Sequence, residues 1–470
     1  MEMLLFGALL AGLVWGAIFY RHAGWWGMLL ATLVAGTVFG HFFFHLGPAT
    51  SDRLLLLGCV VIHAVHRHLG LHHPKRWNMS DTLVGLLAVM LIGTTFVGNW
   101  RAMGMEPFSK LTLFYLLPML AYWLARQTDI TPERLRGLYA VFAVLGLYLA
   151  GTAVAEKMEF GWAIFPRYIA DPAHAEFLGR GRGPIMNPAA NGVLLTLGMS
   201  CTLLGVAYGP RLRWWSLALL PVYLAGIYST LTRCVWIGGA GALVGFTYLM
   251  SPQRWRLPLL LAMFAGGGLV VAAKSESFVS FKRDKNVSEA EMRQSAQLRP
   301  ILAMIAWRMF EDRPYFGCGT AQYLAHVGDY LGDRDVDLPL VKAKSYIQHN
   351  IFLALLSENG LAGMLPFTAL LCLWTAWGYR LWAEPSQPLE YRQLGLVFLG
   401  FMCGYLVNGM FHDVLVMPML GSYLFFLAGC VRSLREKCQR PESRPRTILP
   451  QPAGHAILGE PARSSVYRIP

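Results

Sequence analysis

Residues 189–208 read AANGVLLTLGMSCTLLGVAY, without one Asp, Glu, Lys or Arg. A helix rises about 1.5 Å per residue, so about 20 apolar residues cross a hydrocarbon core of about 30 Å. Blocks of the same kind recur at 4–20, 24–45, 54–66, 82–98, 110–125, 136–155, 214–231, 234–250, 257–273, 359–381, 394–411 and 413–431. They predict an all-α polytopic membrane protein with about 12–13 transmembrane helices. Composition agrees. The 470 residues are 55% hydrophobic and 14% charged, against about 25% charged in soluble domains, and the mean hydropathy is +0.43. The chain reads as one membrane domain.

Lys and Arg, 40 against 27 Asp and Glu, suit anionic lipid head groups or an anionic substrate. No nucleic-acid-binding module is legible. The eight cysteines include no CxxC pair, and most fall inside apolar blocks, as small apolar residues do. No cleavable signal peptide is expected, because the first apolar block begins at Met3 without a basic segment before it.

Short Lys/Arg-rich connections mark the cytoplasmic side. They are 66–81, 126–135, 209–213 and 251–256, and the Arg-rich tail after 432 joins them. The two long connections, 156–188 and 274–349, then face outward. The expected organisation is N-terminal transmembrane helices over 1–273, an outer loop domain over 274–349, C-terminal transmembrane helices over 350–432 and a disordered cytoplasmic tail over 433–470. In the outer domain, Ser288 and Glu291 have capping-box spacing. Leu298, Ile301, Leu302, Ile305 and Met309 recur at helical spacing. Pro300 is expected to start the second half of that helix.

Several cations lie on the outer side against the orientation rule. Arg180 and Arg182 stand among glycines in Gly179–Pro184, Arg233 stands between two apolar spans, and Arg299, Arg308 and Arg313 lie on the outer helix. Charge near a membrane is costly and usually has an anionic partner. The guanidinium fork fits phosphate oxygens in pairs. The plainer reading is contact with lipid phosphates, or pairing with Glu311 and Asp312. Three separate segments bringing arginine to one face favour a built anion site.

His349 lies in Gln348-His349-Asn350, directly before an apolar helix. An imidazole titrates near neutral pH and can take a proton from an attacking hydroxyl. A lone histidine is more often a cap or interface residue. His412 and Asp413 form a secondary pair at the outer end of a late span, where a carboxylate would orient an imidazole. Asp333, Asp335 and Asp337 alternate in a pattern able to hold a hard cation, although Arg334 within the run suits a solvated loop. No P-loop, nucleotide-binding GxGxxG or HExxH is present.

His349-Asn350 is followed by Leu353, Leu356, Glu358, Gly360, Leu361 and Gly363 after many spans and a large outer loop. This arrangement resembles the bacterial O-antigen ligase and O-antigen polymerase superfamily. Trp307, the run Pro314–Gly319 and Tyr323 resemble the start of that family's loop domain, and Thr232-Arg233 with Trp236 resembles its arginine before a span. The resemblance spans roughly residues 180–420. It implies a glycosyltransferase of the bacterial inner membrane with its site on the periplasmic face. The donor would be a glycan on a polyprenyl diphosphate, and the acceptor a sugar hydroxyl on a lipid or on another glycan. His349 would be the catalytic base. Arg180, Arg182, Arg233, Arg299 and Arg308 would hold the diphosphate. No cofactor and no metal are implied. Direct attack would invert the anomeric centre. The alternatives are a polysaccharide polymerase of the same superfamily and a lipid-linked glycan flippase. A flippase would place its polar site near the midplane.

Overall fold

A computed structural model of the protein describes residues 2–40, 45–46, 49–71, 74–273, 289–332 and 339–439. Long helices run between two ends of a bundle. They are α1 (Glu2–Val38), α2 (Ser51–His68), α3 (Met79–Thr95), α4 (Glu106–Gln127), α5 (Pro132–Lys157), α6 (Pro188–Leu203), α7 (Pro210–Ser229), α8 (Arg233–Met250) and α9 (Gln253–Ala273). After α10 (Glu289–Asp312) and α11 (Tyr323–Tyr330) come α12 (Ile351–Ala383), α13 (Leu389–Gly409) and α14 (Pro418–Gln439). A two-residue antiparallel pairing, His45–Leu46 with Ala49–Thr50, precedes α2.

Each expected span overlaps a helix, although 41–44 of the span expected over 24–45 lie outside the described residues. Among the described residues, five are long and apolar enough on their own to cross a membrane: Glu106–Gln127, Pro132–Lys157, Pro188–Ala207, Arg233–Met250 and Ile351–Ala383. Helices α1 and α2 fall short of that test for local reasons. Helix α1 breaks at Gly24, where φ is 64° and the backbone is not helical, so its halves are separate, shorter pieces. Helix α2 carries Asp52, Arg53 and Arg67. The chain is nonetheless an all-α polytopic membrane protein. Its outward faces show why: Val61, Val89, Val144, Ile237 and Leu261 are exposed on α2, α3, α5, α8 and α9, a distribution suited to lipid rather than water.

Inside, the helices approach closely at small residues. Gly146 of α5 and Gly198 of α6 face each other so tightly that a Cβ on Gly146 would lie 2.7 Å from the Gly198 Cα. Such contacts substitute for hydrophobic driving force within a bilayer. Helix α14 packs along α4. The aromatic rings of Tyr122, Trp374 and Phe425 fill the space between α4, α12 and α14.

The segment that carries α10 and α11 has a small core of its own. Leu298, Ile301, Leu302, Ile305, Ala306 and Met309 of α10 pack with Tyr323, Val327, Leu340 and Ala343, as the apolar stripe predicts. Pro300 lies inside one continuous α10, which corrects the expected start at that residue. Ser288 and the Asp333–Asp337 run lie outside the described residues. Helix α14 continues to Gln439, past the expected boundary at 432. Residues 440–470 lie outside the described residues, and with them the rest of the expected tail.

The segment after α10 fastens this small core to the bundle. Helix α12 is interrupted at Gly360, with φ of 59°. Cys318 and Gly319 donate to the carbonyls of Ser357 and Glu358 at 2.8 and 2.9 Å, and Leu361 and Ala362 donate to Pro314 and Tyr315 at 2.8 and 3.0 Å. Both Gly317, with φ of 67°, and Gly360 need a left-handed backbone. A Cβ on either would lie within 2.5 Å of backbone on the other strand. The Pro314–Gly319 run is therefore a docking strand against the break in α12. Asn359 completes it, donating to Thr94 and Thr320 hydroxyls at 2.8 and 2.9 Å.

Candidate active site at one end of the bundle

His349 sits just before the N-cap of α12. The cap is Asn350, whose side-chain oxygen accepts from the backbone N–H of Phe352 and Leu353 at 2.9 and 3.1 Å. The same amide donates to the Met410 carbonyl at 3.0 Å. One side chain thus fixes both the start of α12 and the turn that carries His412. The His349 and His412 rings meet edge to face, with centroids 6.2 Å apart. Replacing an N-cap Asn with Ala costs about 0.5–2 kcal/mol. Asn350→Ala should lower the melting temperature by that stability and reduce activity further, because His349 loses its register. Unchanged activity in a folded Asn350→Ala protein would remove this positioning role.

Arg299 reaches the same place from α10. Its guanidinium lies 5.8 Å from the centre of the Phe411 ring. It acts electrostatically on His349, and on Cys234 at the start of α8. Arg233 opens that helix and is exposed. Arg180 approaches from the other side. It is buried, donates to the Thr230 carbonyl at 3.3 Å and to the Thr232 hydroxyl at 2.6 Å, and also acts on Cys234. The Phe177 ring lies 4.9 Å beneath it. The fold therefore gathers Arg180, Arg233, Arg299, His349 and His412 at one end, from five separate segments.

Two other expected arginines are placed elsewhere. Arg182 is wholly buried. Its guanidinium donates to the carbonyls of Ile169, at 2.7 and 3.3 Å, and to those of His174 and Glu176. Its backbone N–H and that of Gly183 donate to Glu156 at 3.2 and 2.8 Å. Arg182 clamps the 158–187 connection onto α5, and its donors are spent on the chain itself. The glycines beside it serve tight packing: a Cβ on Gly181 would lie 2.6 Å from that of Ala153. Arg308 pairs with Glu311 at 3.1 Å. Nine residues on from Arg299, it lies about 13 Å along α10 and about half a turn round, away from the cluster.

Sequence reading missed a buried charge cluster beneath this end. Lys110 of α4 and Glu358 of α12 form an ion pair at 2.7 Å. Glu358 also accepts from the Ala321 N–H at 3.0 Å. Asp413 lies nearby, 4% exposed and held by the Leu415 N–H at 3.2 Å. Burial drives its carboxyl up to about 7, against the pull of Lys110, while Glu358 adds to the rise. Asp413 is thus buried close to the Lys110–Glu358 pair. Burial, and then the charge of Arg299, hold the His349 imidazole below its usual value near 6.5. A neutral imidazole is the form that can accept a proton.

No curated protein matches the chain. Residues 218–368, which run from α7 through the docking strand, His349 and the break in α12, match the family model described as O-antigen ligase.

Proposed function

We propose that this protein transfers a glycan from a polyprenyl diphosphate to a hydroxyl acceptor at the periplasmic face of the bacterial inner membrane. The acceptor oxygen attacks the anomeric carbon, and the bond from that carbon to the diphosphate oxygen breaks. The acceptor proton passes to His349, and the polyprenyl diphosphate departs with the bonding electrons. Negative charge grows on the leaving group, and fixed cations facing it are usually the largest catalytic contribution. Arg233 and Arg299 fill that role. Arg180 holds the Ser229–Thr232 turn that presents Arg233 and adds its own charge. Arg182 and Arg308 serve the fold. Direct displacement inverts the anomeric centre, and no metal or other cofactor takes part.

The observation that carries this reading is the position of Arg299, acting at once on His349 and on the start of α8. A proton acceptor and phosphate-binding groups thereby share one place, on a stretch with the family's signature. The test is glycan transfer by the purified chain from a lipid-linked donor. Arg233→Ala should weaken donor binding at least tenfold, measured by titration, and unchanged donor affinity would make Arg233 structural. Activity should persist in excess chelator. Loss on chelation, restored by a divalent cation, would instead implicate the Asp333–Asp337 run.

The imidazole gives a pH signature. The acid limb of the rate profile should lie below pH 6.5, since His349 stays neutral there. Arg299→Ala removes a neighbouring positive charge, which raises the His349 pKa and moves the limb to higher pH. A limb that does not move would detach Arg299 from His349.

A further inference from the structure

A second charged site lies at the far end of the bundle. Helices α3 and α14 each run from the His349 end to this one. Thr94 and Thr95 close α3 beside the docking strand, while Trp77 and Asn78 stand about 25 Å away at its start. There Arg76, Trp77, Arg432, Glu436 and Gln439 line a polar cavity of about 550 Å³, a volume common for small-molecule sites.

Behind its wall stands Arg126 of α4, fully buried. One nitrogen, Nη2, meets Asp81 at 2.9 Å, Glu436 at 3.6 Å and the carbonyl of Arg76. Its Nε and Nη1 are buried and have no hydrogen-bond partner. Arg432 packs its guanidinium 5.1 Å from the Trp377 ring centre, and its Nε is likewise buried without a partner. Arg126 and Arg432 repel each other. At the cavity wall the guanidiniums of Arg76 and Arg432 thus face one carboxylate, Glu436, while Arg126 behind it is paired with Asp81. Lys75 adds a further cation, held by the Thr128 carbonyl at 2.9 Å and the Ser433 hydroxyl at 2.5 Å. Buried guanidinium donors left without acceptors are costly. An anion with several oxygens in the cavity would accept from Arg76 and Arg432 at its wall and offset the excess positive charge, and the guanidinium fork fits phosphate oxygens in pairs. Trp77, exposed at the rim, is the residue type found at a membrane–water boundary.

We infer that this cavity is a binding site for a phosphate group, separate from the site at His349 and at the opposite end of the helices. A phospholipid head group and a soluble phosphate share the chemistry, and the test separates them. The purified, delipidated full chain would be titrated with short-chain phosphatidylglycerol, with phosphatidylcholine and with inorganic phosphate, reading tryptophan fluorescence and native mass. Saturable binding of phosphatidylglycerol over phosphatidylcholine is expected, weakened at least tenfold by Arg432→Gln and by Arg76→Gln and left unchanged by Arg233→Ala. Arg76 is exposed, so its substitution keeps the test intact should Arg432→Gln fail to fold. Equally strong binding of inorganic phosphate with the same losses would assign a soluble ligand to the same site. Absence of saturable binding by either phosphate probe would overturn the inference. So would equal binding of phosphatidylcholine, binding that survives both rim substitutions, or binding lost only in Arg233→Ala.

Discussion

His349→Ala should abolish measurable glycan transfer while the protein still folds and binds its lipid-linked donor. General-base assistance is worth about 10²–10⁴-fold, and the acceptor hydroxyl has no comparable route for its proton once the imidazole is gone. The fold should tolerate the change because the cap of α12 belongs to Asn350, not to His349. Its ring is half-buried against His412, so the loss of packing is small. His412→Ala is the matched control. It removes the neighbouring ring from the same turn and should retain far more activity. Equal losses in the two variants would mean the ring pair acts as a structural unit. Full activity in His349→Ala would end the assignment of a base there.

Lys110→Met should be the most destabilising single substitution at this end. It leaves Glu358 buried with its cation gone, and Asp413 beside it. Breaking a buried ion pair from one side typically costs about 3–5 kcal/mol, because the remaining charge has nowhere to go. The loss should appear as a large drop in the melting temperature of the detergent-solubilised chain. Lys110→Met with Glu358→Gln should recover much of it, since the pair is then removed as a unit and the Ala321 N–H keeps an oxygen to donate to. Asp413, already driven up to about 7 by burial, can take up a proton and stay neutral. A melting temperature that does not change in Lys110→Met would show that the pair contributes nothing to the fold.

The spans were legible because an uncharged block of twenty residues has few alternatives to crossing lipid. The apolar stripe of α10 was legible for a similar reason, since Leu298, Ile301, Leu302, Ile305 and Met309 repeat at the period of a helix. The site was legible in part. Arg233 could be singled out because it stands between two apolar spans, and His349 because it directly precedes an apolar helix, both at ends expected to face outward. Arg182 could not be told from Arg180 in sequence. Both stand among glycines, and only folding reveals that one guanidinium is consumed by the carbonyls of its own loop. The Lys110–Glu358 pair left no local trace, because its members are 248 residues apart. Arg126 was hidden in another way. A basic residue at a span end that the Lys/Arg bias assigns to the cytoplasm satisfies the orientation rule and draws no attention, yet it stands buried behind the cavity of Arg76 and Arg432.

The most direct measurement is an experimental structure of the chain with a lipid-linked glycan donor bound. The diphosphate should lie within hydrogen-bond reach, about 3 Å, of Arg233 or Arg299, with the anomeric carbon facing the His349 imidazole across a gap that admits one hydroxyl. A diphosphate held at the opposite end, among Arg76, Arg126 and Arg432, with His349 far from the sugar, would contradict it.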